Sequence, residues 1–500
     1  MTDQLYIGID SGTQGCKVVI LSREHGIILA ESGSPHTMIE NDHGGREQDP
    51  AIWVAALESA LTNTLHLIDR RLVKAISVSG QQHGFVPLDG DGRVIRPAKL
   101  WCDTETALQC RTITERLGGE QAAIAAIGNT VAAGFTASKI LWLKENEPDN
   151  YLRLQTILLP HDYLNYWLSG QFSTEHGDAS GTAFYDIKNR CWSAKALAAI
   201  DPERDLAAML SELRQPEQPC GRIRSELAAR WGLNDDVLIA SGGGDNMMAA
   251  IGTGNVLPGV VTASLGTSGT IYAYSNTPVI DEQGELAAFC SSSGGWLPLV
   301  CTMNVTVATE LMRRLFGLDL LGFNEAIQAS APGSGGLLLL PFFNGERTPA
   351  LPGATATLHG MTTTNFSRNN ICRAAMEGVT FGLRYGAWAL ERNGMTPNEI
   401  RLVGGGAKSP VWRQMVADIF GKPVVSPLTT EAGALGAALQ AMWCHCSEQG
   451  ERITIEEICA RFVHLDPDSR CEPEPKNIQV YSDIYGRYLR LEEKLRPLNG

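Results

Sequence analysis

Near the start of the chain an apolar run, Leu5-Tyr6-Ile7-Gly8-Ile9, stops at the polar, glycine-rich segment Asp10-Ser11-Gly12-Thr13-Gln14-Gly15 and resumes at Val18-Val19-Ile20-Leu21. Two short apolar runs around a turn signal predict antiparallel strands, and a third run at 27–31 would complete a meander. Helical spacing follows over 52–68, and a buried strand over 73–79 ends in Gly80-Gln81-Gln82-His83-Gly84.

In the middle of the chain a buried strand at 236–240 leads into Ser241-Gly242-Gly243-Gly244-Asp245-Asn246 and a helix-compatible stretch at 247–251. Strands at 260–265 and 270–273 then flank Gly266-Thr267-Ser268-Gly269, which repeats the opening hairpin. The Gly-Thr-x-Gly match falls 254 residues after the first copy, about half the chain, and suggests a doubled domain. Later, a strand at 400–403 runs into Gly404-Gly405-Gly406-Ala407-Lys408-Ser409, with a helix predicted over 410–420. Another helix begins at Thr429-Thr430-Glu431, and its small-residue stretch from Ala432 to Ala438 suits close packing. Helical spacing of Tyr481, Ile484, Tyr485, Tyr488 and Leu489 predicts a terminal helix docked on one domain.

At 500 residues and 44% hydrophobic content the chain has material for two or three cores. No basic leader or long apolar span is visible, so neither export nor membrane insertion is expected. The 12 cysteines are scattered, and Cys444-His445-Cys446 lacks a second ligand pair, which favours buried free thiols and a reducing cytoplasm. A net charge of −14 argues against nucleic acid or an anionic membrane as partner, though backbone amides can still bind a small anion.

A Gly-Thr-x-Gly hairpin lets backbone N–H groups converge on phosphate oxygens, with Thr13, Thr267 and Ser268 as added hydroxyl donors. Singly, each is more often an ordinary tight turn; a pair at half-chain spacing points to phosphate. Asp10, at the end of the first strand, is placed to hold Mg²⁺ through water, the other reading being a turn-initiating Asp. Asp245, after three glycines at a strand end, is the candidate general base that accepts a proton from an attacking hydroxyl. Gln82 and His83 offer an amide and an imidazole suited to sugar hydroxyls, although a structural histidine reads equally well. Trp101 and Asp103 read either as an apolar wall and a hydroxyl acceptor or as a packed Trp and a helix-capping Asp. The 404–406 triplet before a helix suits adenosine or phosphate.

Two longer patterns carry a resemblance. The stretch from Gly134-Phe135-Thr136-Ala137-Ser138-Lys139 to Asn146 and that from Ala356-Thr357-Leu358-His359-Gly360-Met361 to Glu377 are similar to the two signatures of the FGGY family of carbohydrate kinases. The resemblance implies an α/β chain of two actin-like (RNase H-like) domains flanking a deep catalytic cleft. Residues 1–233 would form the sugar side, with the terminal helix 472–500 packed on it, and 234–471 the ATP side. It implies Asp245 as catalytic base, Asp10 as the magnesium-linked acid and Gly266 with Thr267 as the γ-phosphate turn. Gly12 and Thr13, together with Gly405, Gly406 and Ser409, would complete the ATP contacts, the last three on the adenine side. Gly80-Gln81-Gln82-His83-Gly84, Trp101-x-Asp103 and His176-Gly177-Asp178-Ala179-Ser180-Gly181-Thr182 are similar to members that phosphorylate D-xylulose, many of which carry Met at the position of Gln82. That likeness implies a sugar bound by Gln82, His83, Trp101, Asp103, Asp245 and Asn246, with ATP and Mg²⁺ as cofactors. The partners are then the sugar and ATP, with no nucleic acid and no membrane, and a homodimer is left open. The competing readings are a kinase of the same family acting on a ribulose, polyol or deoxy-ketose, and an actin- or chaperone-like ATPase switch.

Overall fold

In the computed structural model, which describes residues 3–498, the opening apolar run is strand β1 (Leu5–Ser11), followed by β2 (Gly15–Ser22) and β3 (Ile28–Pro35). They form the expected antiparallel meander, with Asp10 opposite Lys17. β4 (Val73–Gly80) runs parallel to β1, and β5 (Pro219–Arg222), β6 (Leu238–Ala240) and the two-residue β7 (Gly243–Gly244) extend the sheet in the order β5-β6-β4-β1-β2-β3, with β7 beside β4. Both faces of β1 are buried. Leu5, Ile7 and Ile9 pack with Trp53, Leu57 and Leu61 of the helix Pro50–Leu65, while Tyr6 faces the helix Ala432–Glu448. On that second face the predicted small-residue surface has a definite use. A Cβ at Gly8 would collide with the Ala434 carbonyl, so helix and strand meet backbone to backbone.

The same plan recurs later in the chain. β8 (Val260–Leu265), β9 (Gly269–Ala273) and β10 (Leu299–Thr302) form a second antiparallel meander, and β11 (Glu399–Val403) runs parallel to β8. β12 (Val424–Pro427) and an antiparallel edge strand, β13 (Leu465–Cys471), complete the order β13-β12-β11-β8-β9-β10. Strand for strand this matches the first sheet, so the Gly-Thr-x-Gly repeat marks a duplicated architecture.

The chain separates into two units, and their membership differs from the expected split at 233/234. The first contains the chain up to Leu257, Ser275–Leu297 and Glu431–Val463; the second contains Pro258–Tyr274, Pro298–Thr430 and the chain from His464 onward. Residues 238–252 belong to the first unit because β6 pairs with β4 and the helix Asp245–Gly252 packs tightly on Ala432–Glu448. The terminal helix Pro475–Leu495 is also a correction. It belongs to the second unit, where Tyr481 accepts a hydrogen bond from Arg373 at 2.7 Å, donates to Glu377 at 3.0 Å, and packs edge-on against Phe381. Its aromatic stripe covers the long helix Arg368–Arg392. None of the 12 cysteines is in a disulfide, and eight are buried.

Candidate active site

Parallel pairing fixes where the first unit presents its chemistry. Asp10 is opposite Ser79 across β1 and β4, and Gly243 is opposite Ser79 across β7 and β4. The three segments that follow these strands, at 10–15, 80–84 and 242–246, therefore emerge side by side at one carboxyl edge, where α/β sheets commonly bind ligands.

Asp245 opens the helix Asp245–Gly252. Its Oδ1 accepts the Asn246 backbone N–H at 2.7 Å and the Asn246 side-chain amide at 3.0 Å. The same amide donates to Gln82 Oε1 at 2.6 Å, and Gln82 Nε2 donates to Met247 Sδ at 3.2 Å. Gln82, Asn246 and Asp245 thus form one hydrogen-bonded cluster. Burial, reinforced by the charge of Asp10, pushes the Asp245 carboxyl up to about 7. Asp10 is itself raised, chiefly by burial, against a hydrogen bond from Ser79 Oγ at 2.7 Å. The helix Ala432–Glu448 starts against it, and a Cβ at Gly433 would stand 2.6 Å from Asp10 Oδ2.

His83 is buried and adopts a left-handed backbone with φ of 39°. Its N–H donates to Asp178 Oδ1 at 2.8 Å, its carbonyl accepts from Thr136 Oγ1 at 2.9 Å, and its ring meets Phe135 edge-on at 4.9 Å. The FGGY-like stretch 134–139 is accordingly the wall beside His83. Lys139 holds that wall by donating to the carbonyls of Ala133 at 3.1 Å and Phe135 at 2.9 Å and to that of Gly134. Complete burial lowers Lys139 to about 7.

Two expected contacts are spoken for. The Thr13 hydroxyl accepts from Trp101 Nε1 at 3.0 Å and donates to Gln81 Oε1 at 3.3 Å, so it is held inside the unit, and Trp101 is half-buried beside the hairpin. The Gly12 N–H closes the turn on the Gly15 carbonyl at 3.0 Å. Asp103 is a clear correction: it is fully buried, with Oδ2 accepting from Lys99 Nζ at 3.0 Å and the Arg46 N–H at 2.9 Å, and Oδ1 from the Glu105 N–H at 3.1 Å. Such a carboxylate anchors a loop and has no face for a hydroxyl. With Glu47 and Glu105 it forms the one metal-like cluster among the described residues, but Lys99 already occupies the centre as the cation.

In the second unit β8 and β11 pair in parallel with Ser264 opposite Val403, so the 266–268 hairpin and the 404–406 triplet leave one carboxyl edge together. The Gly266 and Thr267 carbonyls accept the Thr306 and Val305 N–H groups at 3.0 and 3.1 Å. Thr267 and Ser268 are exposed. Gly405 is exposed, and a Cβ there would meet open space. A 3₁₀ turn, Gly405–Lys408, takes up the last two glycines of the triplet and leads into the helix Pro410–Phe420, which has the predicted bounds. Ser409 is that helix's half-buried N-cap, accepting from Trp412 N–H at 3.3 Å and donating to Asn324 at 2.9 Å. Glu346 accepts the Met303 and Arg347 N–H groups, each at 2.8 Å, and ties two loops of the unit together.

Sequence reasoning missed Ser79, Gln440 and the Asp178–His161 pair. Gln440 was findable as the lone amide in an apolar helix; it accepts the Gly242 N–H at 3.0 Å and donates to the Gly242 carbonyl at 3.0 Å, fixing the loop that carries Asp245.

Residues 5–252 match the N-terminal domain of the FGGY family of carbohydrate kinases and residues 261–445 its C-terminal domain. The chain is similar to a xylulose kinase of Haemophilus influenzae, 44% identical over 492 residues that cover 97% of this chain and 99% of that one. Among solved structures it resembles a xyloylose kinase from Brucella ovis, with a TM-score of 0.92 at 29% identity, covering 99% of this chain and 100% of that chain. It also resembles a xylulose kinase from Bifidobacterium adolescentis, with a TM-score of 0.82 at 32% identity, covering 96% and 99%. Among the described residues no helix is long and apolar enough to cross a membrane.

Proposed function

The chain belongs to the FGGY family of carbohydrate kinases, and from that premise we propose that it transfers the γ-phosphoryl group of ATP to D-xylulose, giving D-xylulose 5-phosphate and ADP. The sugar comes from the relatives: the Haemophilus influenzae and Bifidobacterium adolescentis proteins, which it resembles over nearly full length, are xylulose kinases. The observation that carries the mechanism is the Gln82–Asn246–Asp245 cluster, in which amides suited to sugar hydroxyls are bonded to a carboxyl that titrates near neutrality.

In this reading Asp245 accepts the proton of the terminal hydroxyl as that oxygen attacks the γ-phosphorus in line. A base with a pKa near 7 is well matched to that task, since it is ionised at working pH yet still basic. Gln82, His83 and Asn246 orient the sugar, and the half-buried Trp101 walls it. The second unit takes ATP, with the amides of Gly266 and Thr267 on the γ-phosphate and the exposed Gly405, with Gly406 buried beneath it, toward adenosine. Thr267 and Ser268, unlike Thr13, keep exposed hydroxyls for this use.

The donor chemistry fits Mg²⁺, because Asp10 is a hard oxygen donor raised by burial and by the charge of Glu431, and a cation beside it would relieve both. Bound with ATP, Mg²⁺ would supply charge neutralisation at the phosphates, and Asp10 would hold its water shell. We place the reaction in the cytoplasm, where thiols outside disulfides persist.

A panel of ketoses and polyols in a coupled ADP-release assay tests the assignment. D-xylulose is expected to give the highest kcat/KM. A ranking below ribulose or glycerol overturns it, and ATP turnover indifferent to every sugar favours the ATPase switch.

A further inference from the structure

We propose, resting on the reading that His83 contacts the sugar, that Asp178 is a positioning residue for sugar recognition: its carboxylate, oriented by His161, clamps His83 in the backbone conformation that presents its imidazole. The geometry forms a chain of buried contacts within the first unit. The Leu159 N–H donates to Asp162 Oδ2 at 3.0 Å, at the start of the helix Pro160–Ser169. Asp162 Oδ1 faces His161 Nε2 at 3.0 Å, His161 Nδ1 faces Asp178 Oδ2 at 3.0 Å, and Asp178 Oδ1 accepts the His83 N–H at 2.8 Å. Asp162, His161 and Asp178 are all essentially excluded from solvent.

Each link has a physical reason. A neutral imidazole carries one N–H, so a histidine hydrogen-bonded to one carboxylate and within 3.0 Å of a second is favoured as the imidazolium. Burial works against that charge, but the two carboxylates outweigh it and raise His161 well above its ordinary range. His161 cannot turn without losing the Nδ1 hydrogen bond to Asp178 Oδ2 and the ionic contact of Nε2 with Asp162, which fixes the Asp178 carboxylate in turn. Asp178 is then set rigidly enough to hold His83 at a φ of 39°, a region that side-chain-bearing residues adopt only when their surroundings enforce it. The ring is confined as closely as the backbone. Phe135 and Phe289 stand 4.9 and 6.0 Å from it, and a Cβ at Gly181 would collide with Nδ1. Glu175 secures the Asp178 segment from behind by accepting the Gly177 and Asp178 N–H groups and Ser292 Oγ.

Gly181→Ala should push the ring and Asp178→Asn should remove the charge that orients it, by different means but with one consequence. Each is expected to raise KM for D-xylulose about tenfold or more, the worth of a charge-assisted hydrogen bond, with KM for ATP unchanged and kcat reduced less than KM is raised. Asp178→Glu, which restores the charge at the wrong length, should recover part of the sugar affinity. Independently of activity, ¹⁵N–¹H correlation of the histidine rings at neutral pH should show His161 protonated on both nitrogens in the wild-type protein. A singly protonated His161, or variants that fold with an unaltered sugar KM, or an equal fall in affinity for both substrates, overturns the proposal. Should Asp178→Asn fail to fold, the Gly181→Ala kinetics and the wild-type histidine spectrum decide it. A wild-type protein inactive on D-xylulose would instead overturn the substrate assignment, and the same KM comparison would then use the sugar the panel selects.

Discussion

The hairpins at 10–15 and 264–269 occupy the same place in two matching sheets, each joining the first two strands of a meander beside a parallel neighbour. Their chemistry has diverged. In the first, Asp10, the penultimate residue of β1, accepts from Ser79, and the Thr13 hydroxyl is consumed by Trp101 and Gln81. In the second the aligned residue is Ser264, the carbonyls of Gly266 and Thr267 are tied back by Val305 and Thr306, and Thr267 and Ser268 are exposed. One ancestral turn geometry therefore supplies two different things: a carboxylate on a rigid support, and a set of backbone and hydroxyl donors left open. The proposed base, Asp245, belongs to neither hairpin and follows β7 in the first unit.

That division of labour can be broken at graded cost. Asp245→Ala should have the largest effect, lowering sugar-dependent ADP release by about 10³-fold or more with ATP affinity retained, because a positioned base is worth 10²–10⁴ in rate. Asp10→Asn should lower kcat by about 100-fold and raise the Mg²⁺ concentration needed for half-maximal rate; Ser264→Asp in that background should restore nothing, since Ser264 has no counterpart of the 245 loop beside it. Gly404→Ala should cost stability, read as a lower Tm, because φ there is 87° and a Cβ would stand 2.8 Å from the Leu265 carbonyl. Ser409→Ala should be the mildest, losing about 1 kcal/mol of helix capping with KM for ATP unaltered.

The pH dependence sharpens the same contrast. Asp245 has a folded pKa near 7, above its ordinary 3.8, so the fold favours the protonated form. Stability from this group is fully present below the ordinary value and is lost as pH rises through about 7, whereas activity, which needs the ionised base, is lost as pH falls through the same range. Asp245→Asn should accordingly show a higher Tm than wild type at pH 8 and no advantage at pH 4. Equal melting temperatures at both pH values would show that the carboxyl is not destabilised.

Much of this was legible before any coordinates. Strand-turn-strand patterning located both hairpins, and glycine runs after buried strands located the loops that carry Gln82, His83 and Asp245, because close backbone approach leaves a local signature. What stayed hidden depends on contacts between distant segments. Asp103 read as a ligand contact because nothing local reveals that Lys99 and Arg46 already occupy it. The return of 431–463 to the first unit is equally invisible, being decided by a backbone-to-backbone fit of Gly8 against Ala434. The left-handed His83 has no sequence signal at all, since its cause lies in Asp178, 95 residues away.

The most direct test of the divided labour is calorimetric titration of D-xylulose and of MgATP, separately, into the wild-type protein, His83→Ala and Gly266→Ala. His83→Ala is predicted to lose sugar binding and retain MgATP, and Gly266→Ala to weaken MgATP and retain the sugar. Loss of both ligands in both variants, or the reverse pattern, would contradict the account.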